Sequence, residues 1–309
     1  MSETQPRVSV VVPIFNEEAS IEELYSRIVR TLEERGDSFE LITVDDGSTD
    51  RSLAILRGLR AKDARVRVIR LTRNFGQSPA LYAGFSRSRG EFVVMLDADL
   101  QNFPEDIPKL LERLEEGYDV VSGWRAERHD GLFRRMTSRM LNAWVGRITK
   151  LRLHDYGCAL KGFRRDVVDR MNTLSHRCRY LPADMAMLGG AVSEVQVRHA
   201  GRDHGKSKYG VMKLFRTAFD LLTGVTSAPL QFIGMLGWLF AAGGFAMSLR
   251  VALVRLIRGD LLQLETVVAV FFLLAGVQLI ATGLMCEYIG RIYIEVQRKP
   301  YFVVHEEVD

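Results

Sequence analysis

Cysteine is scarce in this 309-residue chain: Cys158, Cys178 and Cys286 are odd in number, far apart and without CxxC spacing. That excludes a disulfide framework and a zinc cage and fits a reducing compartment. Histidine is also rare, six in all, and His129, His154, His176 and His199 have no metal-ligand spacing, so none is assigned a role. The opening MSETQPR lacks the charged and apolar regions of a signal peptide, and the N-terminal part is expected to stay in the cytosol. No charge of one sign dominates. A net +4 with a pI near 9.0 suits an anionic ligand or a membrane surface and does not by itself call for nucleic acid, which is not an expected partner. Neither GxGxxG nor GxxxxGK[ST] occurs, so the usual glycine-rich phosphate loops are missing, and no internal repeat or low-complexity tract interrupts the chain.

What is present divides near Ser227-Ala228-Pro229. Upstream, apolar runs of strand length (RVSVVVP, FELITVDD, VRVIRL, EFVVMLDAD) alternate with helix-like segments at 21–34, 51–61, 78–88 and 105–116. Alternation of this kind predicts an α/β domain around a mostly parallel sheet. The strands are near-continuous Val, Ile and Leu, as expected where helices cover both faces. Downstream, residues 230–249 and 266–286 are apolar runs close to the ~20 residues that span a bilayer. Gly234, Gly237, Ala241 and Gly244 lie along one face of the first, a pattern suited to close helix packing in lipid. Between the two regions, Val211, Leu214, Phe215, Ala218, Leu221 and Leu222 share a helical face, which predicts an amphipathic helix at the interface. The expected organisation is a cytosolic catalytic domain over 1–206, an interfacial helix over 207–227, a two-helix transmembrane region over 228–290 and a cytosolic tail over 291–309. Basic residues flanking the outer ends favour both ends in the cytosol.

In a parallel sheet, polar sites gather at strand C-termini. Three strand ends here carry carboxylates: VVPIFNEE, VDDGSTD and LDADLQ. Asp97 and Asp99, one residue apart on a turning chain, can address one small volume, and Gln101 adds a neutral oxygen. Such hard oxygen donors suit Mg²⁺ or Mn²⁺, which commonly also take substrate phosphates, so a metal-bridged diphosphate is implied. Asp45 and Asp46 are expected to face the same crevice, where a carboxylate accepts hydrogen bonds from a ribose or a base. Asp50 reads as a helix cap and Gly47 as a turn residue with positive φ.

Together, PIFNEE, VDDGSTD, NFGQ at 74–77, AGFSRSRGEFVVMLDADLQNFPEDIP, DYGCALKGFRR, HGKSKY and EYIGRIY resemble the family-two glycosyltransferases of GT-A fold. The likeness is to the membrane-attached type that acts on polyprenyl phosphates, a group including dolichol-phosphate mannose synthase and undecaprenyl-phosphate glucosyl and formamido-arabinose transferases. Phe103 departs from the group, where a proline is usual. The resemblance implies Pro13, Phe15, Glu17, Asp46, Asp97 and Ala98 around a nucleotide sugar, with a UDP-sugar as donor, and Asp99 and Gln101 on the metal. It implies that Arg125, Arg202 and Lys208 contact phosphates, and that Arg134, Arg135 and Ser138 lie at the phosphate of a polyprenyl acceptor. Asp155, opening DYGC, is either a base or a positioning residue. The implied setting is the cytoplasmic (inner) membrane, multi-pass and homo-oligomeric, with inversion at the anomeric carbon. A processive relative would add a QxxRW segment, which is absent, and a binding subunit without activity could lose Asp97, Asp99 and Gln101, which are intact.

Overall fold

A computed structural model describes residues 5–125, 153–173, 181–188, 190–200, eleven positions between 233 and 257, 264–297 and 299–308. The chain divides into two compact units, Met1–Lys208 with Pro300–Asp309, and Tyr209–Lys299.

The first unit is built from β1 (Val8–Ile14), α1 (Ile21–Arg35), β2 (Phe39–Asp45), α2 (Ser52–Lys62), β3 (Val66–Leu71), α3 (Gln77–Phe85), β4 (Phe92–Met95) and α4 (Ile107–Glu115). A 3₁₀ turn at Pro104–Asp106 leads into α4. It continues with β5 (Val120–Trp124), β6 (Lys161–Arg164), α5 (Arg165–Thr173), α6 (Leu181–Leu188), β7 (Val192–Gln196) and β8 (Val304–Val308). The strands form one sheet in the order β7-β5-β6-β4-β1-β2-β3-β8. The central pairs β1/β2, β1/β4 and β2/β3 are parallel, β5/β7 is parallel, and β6 and β8 run antiparallel to their neighbours. The expected mostly parallel α/β sheet is what the first unit contains.

Both faces of the sheet are covered, because strand side chains alternate. Val8, Val10 and Val12 of β1 pack with Leu24, Ile28 and Leu32 of α1, Leu56 of α2 and Leu110, Leu111 and Leu114 of α4. Val11, Ile42 and Val44 turn the other way, against Ala80, Leu81 and Phe85 of α3 and Val167, Val168 and Met171 of α5. On that second face α3 lies so close that a Cβ on Gly84 would fall 2.3 Å from Val11 Cγ1.

At the edge of this frame Asp63, after α2, joins α1 to β3. It accepts Tyr25 Oη at 2.8 Å and the Arg65 guanidinium at 2.8 to 3.1 Å. The Arg65 hydrogen bonds, outweighing burial, hold its carboxyl down to about 2. A depressed carboxylate stabilises the fold above its unfolded value of about 3.9, and that contribution fades as pH falls from about 4 through about 2. Arg65 is 38% exposed, so screening reduces the linkage maximum of about 2.5 kcal/mol. We expect Asp63→Asn to cost about 1 kcal/mol at pH 7 and clearly less at pH 2. Urea unfolding at the two pH values checks this, and an equal deficit at both would exclude it.

The segment 291–309, expected as a tail, is corrected at its end: 304–308 form an edge strand antiparallel to β3. Glu306 pairs with Arg57 at 2.5 Å and Glu307 with Arg87. Its sequence, VHEEV, has the polar alternation of an exposed edge, and only the pairing with β3 makes it a strand.

In the second unit α7 (Leu264–Val296) is a 33-residue helix. Its Leu273–Gly290 stretch, of mean hydropathy 1.5, is long and apolar enough to cross a membrane, and it is the one such helix among the described residues. Leu279, Ile280 and Phe271 are 73, 68 and 66% exposed on it, an arrangement that water alone disfavours. The first expected span is helical at its described positions, whereas the interfacial helix over 207–227 lies outside the described residues.

Candidate active site

Two loops are laced together at the C-terminal edge of β1 and β2. Asn16 sits in the left-handed region at φ 56°. Its Oδ1 accepts the Thr49 N–H at 2.8 Å, and its own N–H donates to Ser48 Oγ at 3.1 Å. Further along, Glu17 N–H donates to Ser52 Oγ at 3.0 Å, Glu18 N–H to Asp50 at 3.3 Å, and Arg51 N–H to Glu18 at 3.0 Å. The residues of NEE and GSTDRS therefore satisfy each other's backbone, which is why both motifs are rich in short polar side chains. Asp50, expected as a cap, lies one residue before the N-cap Arg51 and accepts Ser52 N–H at 2.9 Å; burial opposes its charge, but these hydrogen bonds win and hold its carboxyl below the usual range.

Gly47 fastens a third loop. Its φ is 74°, and a Cβ would lie 2.7 Å from the Arg73 carbonyl carbon and 2.8 Å from Asn74 N. Next to it the Asp46 carboxylate accepts Phe75 N–H at 2.7 Å and Gly76 N–H at 2.8 Å, so NFGQ is drawn to the end of β2. Burial, only partly offset by these two bonds, pushes the Asp46 carboxyl up.

The fourth segment follows β4. Leu100 takes φ 59°, a conformation that costs a branched side chain energy, and reverses the chain directly after Asp99. The reversed stretch is bracketed by 198–200. Ala200 N–H donates to Gln101 O at 3.0 Å, Asn102 bridges to His199, and Asp106 accepts Arg198 N–H at 2.7 Å. Phe103 lies between Arg27 and Arg198, whose guanidinium carbons are 5.0 and 5.1 Å from its ring centroid. An aromatic at this turn thus gains two cation–π contacts that a proline would not offer.

Between these segments lies a cleft of about 260 Å³ lined by Pro13, Ile14, Phe15, Glu17, Asp46, Asn74, Gly76, Gln77, Asp97, Ala98 and Asp99. Seven of the residues predicted for the site meet there, and Phe15 leaves 44% of its surface open. Gln77, at the start of α3, donates its amide N–H to Asp97 Oδ1. Burial, reinforced by Asp99, pushes the Asp97 carboxyl up to about 7, against the pull of Gln77 and Arg125. Asn74, Gly76 and Gln77 were not separately predicted as site residues; the NFGQ motif was their signal.

Other expected residues fall elsewhere. Asp45 does not line the cleft: strand alternation buries it on the opposite side from Asp46, with Oδ1 accepting Ser48 N–H at 3.1 Å and Oδ2 without a hydrogen bond. Gln101 is not on the cleft surface either; its N–H donates to Asp99 Oδ1 at 3.2 Å, so the Gln101 backbone braces Asp99. Asp155 is buried, and its carboxylate takes Arg125 Nε at 2.6 Å and Nη2 at 3.0 Å. Arg134, Arg135, Ser138, Arg202 and Lys208 lie outside the described residues.

The donor set fits a hard divalent cation. Asp97 and Asp99 give adjacent carboxylates on the cleft, with Glu17 and Asp46 adding negative charge around it. Among the described residues no group of three or more His, Cys, Asp or Glu is arranged to hold a metal ion.

Glu17, Asp46, Asp97 and Asp99 set an acidic cleft at the strand ends of a doubly covered α/β sheet, and the comparisons with known proteins give the chain's family. The pattern of Glycosyl transferase family 2 matches residues 9–171, and the chain belongs to that family and is a glycosyltransferase. It is similar, at 43% identity over 97% of its length and 90% of the relative's, to undecaprenyl-phosphate 4-deoxy-4-formamido-L-arabinose transferase of Pseudomonas aeruginosa. The protein of the same name from Edwardsiella ictaluri is 41% identical, over 97% of this chain and 94% of the relative. Among solved structures, S. aureus TarS 1-349 in complex with UDP-GlcNAc shares the fold at TM-score 0.50 and 19% identity, covering 70% of this chain and 65% of that one.

Proposed function

We propose that this glycosyltransferase moves a sugar from a nucleotide sugar, a UDP-sugar, to undecaprenyl phosphate with inversion, and that it needs Mg²⁺ or Mn²⁺. One observation carries the reading: three strand-end loops bring Phe15, Glu17, Asp46, Asp97 and Asp99 around one cleft, in a chain whose relatives are named for transfer to undecaprenyl phosphate. In this reading Pro13, Phe15, Glu17, Asp46, Asp97 and Ala98 surround the nucleotide. Asp97 and Asp99 hold the cation, which when bound supplies positive charge at the diphosphate. Phe15 presents a ring on which a base stacks, and Arg125, Arg202 and Lys208 take phosphate oxygens.

The acceptor's phosphate monoester is ionised near neutral pH, its second pKa being about 6, so its oxygen attacks without a strong general base. Arg134, Arg135 and Ser138 hold that phosphate in line with the anomeric carbon, where a new C–O bond forms as the bond to the diphosphate breaks. Arg202 and Lys208 stabilise the charge that develops on the leaving group. In this reading α7, whose exposed apolar surface supports it, spans the cytoplasmic membrane together with a second span over 230–249, the catalytic unit lies in the cytosol and copies assemble through the glycine-bearing helices. Membranes holding the protein, given labelled UDP-sugars and undecaprenyl phosphate, are expected to form an organic-soluble, mild-acid-labile lipid. Absence of that product with every donor tried would rule the reading out.

A further inference from the structure

We infer that Glu194 is a positioning residue that sets Arg125 through the 153–157 turn and Asp155. The inference rests on the proposed function, in which Arg125 serves the donor phosphates.

The geometry forms a chain of contacts. Glu194, on β7, is two residues before Gln196, which pairs with Trp124, and Arg125 follows Trp124 directly. Its carboxylate accepts the His154 N–H at 2.8 and 3.0 Å and the Asp155 N–H at 3.3 Å, and it meets His154 Nδ1 at 2.8 Å. The His154 ring stacks on Trp124, with centroids 4.6 Å apart and planes 26° from parallel. The turn is thereby fastened to both β7 and β5. Inside it Asp155, with 3% of its side chain exposed, grips the Arg125 guanidinium in a two-point contact and accepts Gly157 N–H at 3.1 Å. Gly157 has a reason to lack a side chain: a Cβ would lie 3.2 Å from Arg125 Nη2.

A fork of this kind fixes the plane of a guanidinium as well as its place, which a single contact cannot do. Both Asp155 oxygens are engaged by N–H donors, so this carboxylate orients a cation; the acceptor phosphate, already ionised, asks no proton of it. Glu194 lies one step further back, holding the turn that carries Asp155.

That dependence is measurable. With the full-length protein in detergent, calorimetry with UDP and Mn²⁺ is expected to give about tenfold weaker binding for Asp155→Ala and for Glu194→Ala, the size of one charge-assisted contact. The double variant is expected to bind no more weakly than Asp155→Ala alone, because the two act in series. Glu194→Gln, whose amide oxygen still accepts the turn's N–H groups, is expected to recover most of the binding and guards against a misfolded alanine variant. Effects that multiply in the double variant would overturn the inference. So would Asp155→Asn binding UDP normally while losing the acid limb of its kcat profile, since that marks a base. A wild-type chain that binds no UDP with Mn²⁺ at millimolar concentration overturns the proposed function and this inference together. Firm wild-type binding matched by Glu194→Ala overturns this inference alone.

Discussion

Asp99→Asn is expected to lower turnover by about 10³-fold while the protein stays folded. The amide keeps the shape of the side chain and can still accept Gln101 N–H, so the reversed stretch after β4 survives. What is lost is one of two adjacent carboxylates on the cleft, and with it the charge that lets a divalent cation compete with water. Lewis-acid stabilisation of a leaving diphosphate is worth several kcal/mol, and about 4 kcal/mol corresponds to about 10³ in rate. Thermal unfolding should move by no more than a few degrees, since Asp99 sits at the cleft surface and not in either core. Turnover near that of the wild type at saturating Mn²⁺ would remove Asp99 from the metal site.

Gly47→Val carries the other large expected effect, and it falls on folding. The position combines φ 74° with backbone atoms of Arg73 and Asn74 at 2.7 and 2.8 Å from any Cβ. A left-handed conformation costs a β-branched residue roughly 1–2 kcal/mol, and the overlap is with main chain, which cannot swing aside as a side-chain tip can. Relief requires the 73–76 loop to move away, which breaks the two Asp46 contacts and leaves a buried carboxylate without its donors. The total is on the order of 4 kcal/mol, enough to lower Tm by roughly 10 °C in a domain of this size. A variant melting within 2 °C of wild type would show that the loop is not held as described.

The two effects illustrate how unevenly the site is written in the sequence. Phe15, Asp46, Asp97 and Asp99 were legible because strand-end carboxylates and an ordered set of motifs are local signals. Asn74, Gly76 and Gln77 are neutral, and their place on the cleft comes from Asp46 and Gly47 drawing their loop in across about 30 positions of sequence. Asp45 looked equivalent to Asp46, yet adjacent residues at a strand end face opposite ways, so only one of them lines the cleft. Asp155 carried no mark that distinguished a base from a clamp. Its partner, Arg125, lies 30 residues away, and the fork between them exists only once β5 and the turn before β6 are side by side.

By itself the sequence determined the alternating α/β order, the four central strands β1 to β4, the acidic strand ends and the apolar runs after Pro229. Each follows from composition and spacing within a few neighbouring residues, where hydrophobic period and turn chemistry act. Tertiary structure alone decided the outer strands. KGFR in β6, VSEVQ in β7 and VHEEV in β8 are four or five residues long with little apolar content, and each is extended because a neighbouring strand's unpaired N–H and C=O groups are completed by it. The return of the chain after α7 to pair with β3, and the clamp from β7 through Asp155 to Arg125, are of the same kind. They depend on groups far apart in sequence, whose attraction has no local pattern until the sheet brings them within hydrogen-bonding distance.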